Sequence, residues 1–175
     1  YGAHSEGRDT RAIGDYSHSE GWETVAQHGA HAEGYRTQAT DTAAHAEGYE
    51  SLASGKYSHS EGYGTKSLGE TSHSEGSSTI SSSDAAHSEG YNTEASGTAS
   101  HSEGSGTKAS GEASHSEGYN TLASGRYSHA SGVGTIASKF GQFVVGQYNK
   151  VEDSAMFVVG GGNGNSDSAR KTIFK

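Results

Sequence analysis

The residues of this sequence best equipped for chemistry recur at a fixed interval. His4, His18, His31, His45, His59, His73, His87, His101, His115 and His129 are 14 residues apart, except for one 13-residue step between His18 and His31. The first nine are followed two positions on by Glu6, Glu20, Glu33, Glu47, Glu61, Glu75, Glu89, Glu103 and Glu117, and then by Gly; after His129 the Glu position holds Ser131. An imidazole beside a carboxylate is the material of acid–base catalysis, of hydrogen-bonded ion pairs and of transition-metal ligation. Catalysis would need one copy equipped differently for it, and nothing marks one coil as special. Ser, His and acidic residues all sit within the repeat, and no unique loop brings two carboxylates together. The sequence therefore points away from an enzyme. The Gly-rich stretch 160–164 lacks the Gly-Lys-Ser/Thr ending of a phosphate loop, and the unit does not match the nonapeptide calcium repeat, so no cofactor is expected.

Composition narrows the field further. Apolar residues make up only 29%, with 27 Gly and neither Pro nor Cys, a balance that without the repeat would suggest a low-complexity segment. The absence of Cys removes disulfides and Cys-based zinc sites. No apolar run approaches the ~18–20 residues that span a bilayer, so membrane insertion is not expected. Twelve Lys+Arg against 21 Asp+Glu give a formal charge of −9, which argues against nucleic acid as a partner. The nine repeat Glu account for that whole excess, since the other 12 acids balance the 12 bases. The chain opens at Tyr1 and its only Met is Met156, so it is expected to be a piece of something longer.

The elements that position the His and Glu follow from the period. Fourteen residues hold two short strands and two turns, whereas a helical repeat needs about 30. The unit reads [S/A]-H-[S/A]-E-G-x-x-T-x-A-S-G-x-x, and both halves alternate with period two. Small residues flank each His, and Thr and Ala share one face of the second strand, as in Thr107 and Ala109. These faces should meet across a thin interior. The residue between Thr and Ala varies freely (Lys66, Ile80, Glu94, Lys108) and should face solvent. Phe143-Val144-Val145-Gly146 and Phe157-Val158-Val159-Gly160 continue the same columns, which gives twelve coils over residues 1–160. The His-x-Glu coils span 1–135 and the apolar coils 136–160, and 161–175 reads as a flexible Gly/Asn-rich exit toward a further module. His28, in the shortened copy, should lie in a loop.

A coil filled with Ser, Thr, Ala and Gly buries little apolar area at about 25 cal/mol per Å², and cores this small usually need oligomerisation or another staple. The His and Glu columns point outward yet hardly vary, and Phe143, Val145, Phe157 and Val159 replace them near one end. A column that accepts Phe and Val is better buried than solvated. The whole column from His4 and Glu6 to Phe157 and Val159 is therefore expected to be a subunit interface.

The unit S-H-S-E-G-x-x-T-x-A-S-G resembles the head repeat of YadA-like trimeric autotransporter adhesins, S-V-A-I-G-x-x-S-x-A-x-G, over about residues 1–160. That resemblance implies an all-β, left-handed parallel β-roll associated as a homotrimer. His115 and Glu117 stand where the family has Val and Ile packed against neighbouring chains, and Phe143 and Val145 restore its apolar habit. The S-H-[S/A]-E-G repeats with their Phe-Val-Val-Gly ending are also similar to bacteriophage tail fibres and tail spikes. The two resemblances imply a structural or adhesive fibre segment on a virion or on a bacterial surface. Its partners would be its own copies and a cell-surface glycan or protein receptor.

In such a trimer the His-x-Glu column is expected to form hydrogen-bonded ion pairs between chains, with His pKa values raised and Glu values lowered. Three symmetry-related His could instead hold an axial metal ion, but ten consecutive metal layers are implausible, and no metal is expected. The aromatic column after the Gly, Trp22, Tyr35, Tyr49, Tyr63, Tyr91 and Tyr119, should stack coil on coil. Its second reading is a receptor-contacting stripe, which Arg8, Ser77, Ser105 and Val133 interrupt. The Thr-x-Ala column could order ice-like water only if it faced outward, and it is expected to face inward.

Overall fold

The computed structural model describes residues 2–151, 155–166 and 168–175. Each coil contributes a five-residue strand beginning at the His, such as His101–Ser105, and a two-residue strand, such as Lys108–Ala109. The long strands stack parallel and in register from His4–Arg8 to Phe157–Gly161, and the short ones from Arg11–Ala12 to Ile136–Ala137. The product is a parallel β-solenoid of about eleven turns, with no helix among the described residues. His stacks on His, Glu on Glu and Gly on Gly, as in His101↔His115 and Glu103↔Glu117. The 13-residue step keeps this register, pairing His18 with His31, because the missing residue is absorbed in the turn at His28, whose φ is 48°.

The interior has the composition its columns require. Ser102, Thr107, Ala109 and Ser114 are buried, and their counterparts repeat this in the neighbouring coils. Ser and Thr are accommodated by pairing their hydroxyls across the thin interior: Ser60 with Thr65 at 2.8 Å, Ser102 with Thr107 at 2.8 Å and Ser116 with Thr121 at 2.7 Å. With no large side chain inside the His-bearing coils, backbone bonds between coils supply the cohesion. His101 N donates to Ser114 O at 2.9 Å, Lys108 N to Thr121 O at 2.9 Å and Ala113 N to Thr98 O at 2.8 Å. Each such bond contributes about 0.5–1.5 kcal/mol net, and every coil adds the same set.

The Gly column makes this close stacking possible. Gly104 has φ 102°, and a Cβ there would strike the carbonyl oxygen of Gly118 in the next coil. Only Gly tolerates both the left-handed backbone and the approach.

The two sheets end differently, which is why there are about eleven turns rather than twelve. Beyond Ile136–Ala137 the side chain of Asn149 takes the place of another short strand. Ile136 N donates to Asn149 Oδ1 at 2.8 Å, and Asn149 Nδ2 donates to Ile136 O at 3.0 Å. Gln142, also buried, accepts from Ser138 N at 2.9 Å and donates to Ala155 O at 2.9 Å. Val144 and Val158 are the first buried side chains larger than Ala on the apolar side of the core. The Gly/Asn-rich segment then turns back, and Thr172–Phe174 pairs antiparallel with Phe157–Gly161. Arg170 pins this return by donating to Gly134 O at 2.9 Å and Asn149 O at 3.1 Å. The segment expected as a flexible exit thus supplies the last strand of the long sheet.

Candidate functional site

Residues one, three and five of each long strand share its outer face, so each His, Glu and aromatic position forms a straight column. The imidazoles stack directly on one another. From His18 to His115 successive ring centroids are 4.6–4.8 Å apart with interplanar angles of 1–5°. This spacing is the interstrand repeat itself. His129 tilts, Phe143 meets it edge-on at 4.7 Å, Phe157 stacks on Phe143 at 5.7 Å, and Phe174 closes the series edge-on at 5.7 Å. One unbroken file of rings therefore runs from His4 to Phe174. The sequence periodicity puts these positions in one column as far as Phe157. Phe174 comes from the returning antiparallel strand, which no periodicity marks.

The carboxylates do not follow one rule along the column. In the early coils each Nε2 approaches the Glu of its own strand: His18–Glu20 at 3.7 Å, His45–Glu47 at 3.4 Å and His73–Glu75 at 3.6 Å. His4, His31 and His59 approach Glu6, Glu33 and Glu61 similarly, at 3.8–3.9 Å. In the later coils the partner is the Glu of the preceding coil: His101–Glu89 at 3.4 Å, His115–Glu103 at 3.3 Å and His129–Glu117 at 3.3 Å. The pairing changes at His87. Nε2 atoms of His31, His45, His59, His73, His87 and His101 are sequestered from solvent without a hydrogen bond within the chain. For all of these but His87 a carboxylate lies within ion-pair reach, at 3.4–3.9 Å, without forming a hydrogen bond.

Within one chain, three of the stacked imidazoles are held below their ordinary value. Burial pushes His31, His73 and His87 below the usual 6.5, and the charge of neighbouring rings (His45 and His18, His87, and His101 respectively) pushes the same way. The adjacent Glu oppose the shift but do not overcome it. Desolvation, the larger cause, and the neighbouring rings together outweigh the attraction of the half-solvated carboxylates at these three positions. Glu117 is lowered, chiefly by a hydrogen bond from Ser131 and further by His129.

At the far end the column is apolar and open within one chain. Phe143 and Phe157 are 39% and 42% exposed, and Ile173 and Phe174 beside them are more so. The aromatic column behaves as two groups. Trp22 meets Tyr35 edge-on, and Tyr35, Tyr49 and Tyr63 stack at 4.8–4.9 Å, with Tyr63, at the end of the stack, covered on one face only. Tyr91 lies between Ser77 and Ser105 and Tyr119 between Ser105 and Val133, without such stacking, and Tyr91 is 62% exposed. Ion pairs between coils line the neighbouring turns, including Arg36 with Glu23 at 2.7 Å and Arg126 with Glu112 at 2.7 Å.

Three shallow cavities of about 280, 350 and 300 Å³ lie at the C-terminal end, lined by residues such as Thr172, Ile136 and Gly162, and not beside the His/Glu column. No described helix is long and apolar enough to cross a membrane. No protein-family model matches the chain, and no curated protein matches it either.

Proposed function

We propose that the chain is a rigid segment of a homotrimeric, left-handed β-roll in an extracellular fibre, of the kind found in bacteriophage tail fibres and spikes. It would hold or form a host-receptor-binding head, and its role is mechanical and adhesive rather than catalytic. The observation that carries this reading is the outer ring column. A single straight face joins sequestered Nε2 atoms to phenyl rings more than one-third exposed. Packing that face against the same face of neighbouring copies would cover the rings and offer the imidazoles aligned partners. Threefold closure around the column makes all three faces equivalent, leaving the variable column outside and the aromatic column at the edge of the packed face.

A second reading has its own support. Tyr91 and Tyr119, unstacked and exposed, suit direct contact with a glycan or protein receptor, as in the head of a bacterial trimeric adhesin. The first test is molar mass by light scattering, expected at three times the 18.0 kDa of one chain. A monodisperse monomer at micromolar concentration overturns the trimer. Binding of the isolated trimer to immobilised glycans or matrix protein, lost in Tyr91→Ala/Tyr119→Ala, would favour the adhesin over the spacer.

A further inference from the structure

The change in carboxylate pairing at His87 singles out coils that the sequence leaves equivalent. Where each Glu keeps to its own His, no third ligand joins the pair. Where the Glu reaches across to the next coil, ligands from two coils converge. Two groups result among the described residues: His87, Glu89 and His101; and Glu103, His115 and Glu117. In each, one ligand atom from every residue lies within 4.8 Å of the other two. We propose that these are two transition-metal sites, each taking a divalent ion of zinc type through imidazole nitrogen and carboxylate oxygen.

Ligand chemistry and spacing support the assignment. Neutral imidazole and carboxylate suit Zn²⁺, with bonds of about 2.0–2.2 Å and three protein ligands leaving one position open. Tetrahedral bonds of that length set neighbouring ligand atoms about 3.3 Å apart. His101 Nε2 to Glu89 Oε1 is 3.4 Å, and His115 Nε2 to Glu103 Oε1 is 3.3 Å. One edge of each tetrahedron is therefore already in place. The third ligand, His87 at the first site and Glu117 at the second, lies within 4.8 Å and would leave its ring stack or its hydrogen bond with His129 to close on the ion. The Nε2 atoms of His87 and His101 are sequestered and lack a hydrogen bond within the chain, so at the first site ligation would displace no such partner. The supporting strands, His87–Tyr91, His101–Ser105 and His115–Tyr119, are consecutive members of one parallel sheet, which fixes the spacing of the three layers. Both sites are built from one chain and do not require the trimer. A fourth ligand would be water or a group from a neighbouring copy.

The objection that a repeat of ten His implies ten metal layers does not apply, because only the coils with cross-coil pairing assemble three ligands. The test is calorimetric titration of the chelator-treated protein with Zn²⁺ at neutral pH. Two ions per chain are expected. His101→Ala and His115→Ala should each remove one, their combination both, and His45→Ala neither. No binding, binding near one ion per coil, or an equal loss from His45→Ala would each overturn the proposal. Co²⁺ substitution of the unaltered protein gives a measurement independent of any variant's folding. Intense four-coordinate absorption saturating at two ions per chain supports the sites, and its absence refutes them. Neither outcome depends on the oligomer found by light scattering.

Discussion

At the scale of single residues, the interior distinguishes hydroxyls that do work from hydroxyls that are merely tolerated. Thr107 Oγ1 bonds Ser102 at 2.8 Å and donates to Glu103 O at 3.0 Å, whereas Thr93 Oγ1 is buried without a hydrogen bond. The cause is local: Ser88, which could serve Thr93, is engaged by Ser81 at 2.8 Å. Thr107→Val should therefore destabilise by about 1 kcal/mol, while Thr93→Val, of equal volume, should be neutral or slightly stabilising. Denaturant titration of the two variants checks this, and equal losses would contradict it. The His column sets a pH dependence of definite sign. His31 faces Glu33, Glu47, His18 and His45, and His73 faces Glu61, Glu75, Glu89 and His87; both are held below 6.5. A depressed His favours the neutral folded form, so its contribution is complete above 6.5 and is lost as pH falls through the folded value. Glu117, also depressed, adds a loss below its usual 4.5. The melting temperature should stay level from about pH 7 to 9 and fall between pH 7 and 4. A decline above pH 7 would instead mark charged, ion-paired imidazoles.

At the scale of elements, much of the structure was legible in the sequence and some was not. The strand pair, the small-residue interior and the outward His, Glu and aromatic columns all follow from period-two alternation inside a 14-residue unit. That information repeats, so a single strong pattern fixes every His-bearing coil. What happens once is harder to read. Asn149 and Gln142 occupy ordinary Thr and Ser columns, yet their amides end the short sheet by imitating a missing backbone. The returning strand at Thr172–Phe174 has three residues and no repeat to announce it. The direction in which each Glu leans depends on rotamers, which leave no trace in a column of identical letters. The cap has a measurable weight. Asn149→Ala leaves Ile136 N–H and C=O unpaired and should cost about 1–3 kcal/mol. Hydrogen exchange should quicken at Ile136 while the amide of His101 is unaffected, and uniform quickening would show that the end is not a separate unit.

At the scale of the whole molecule, each coil touches only the coils before and after it. Stability then approximates a sum of identical layers and interfaces, so layers are removable. Deleting residues 45–58 joins Ala44 to His59 and restores the column order on both sides of the cut. The shortened protein should keep its β-sheet circular dichroism and unfold cooperatively, with a melting temperature lower by only a few degrees. Deleting seven residues should instead put long strands against short ones and abolish the fold. Survival of the seven-residue deletion would mean the columns do not set the stacking. The negative charge belongs to this scale as well. The excess of nine acids is spread evenly along one face, so it measures the number of layers rather than marking an acidic patch for a partner.

The file of imidazoles has one more consequence, because it makes a row of proton sites at a constant 4.6–4.8 Å. A proton on one ring raises the cost of a proton on its neighbour, as the depression of His31 by His45 and His18, of His73 by His87 and of His87 by His101 indicates. Acid would first occupy alternate rings and fill the gaps only at lower pH. The row should therefore titrate anticooperatively, over a broader pH range than one free imidazole and with no pKa that belongs to a single residue. Half-filled, it would be a line of alternating charged and neutral rings, an ordering that no individual coil contains.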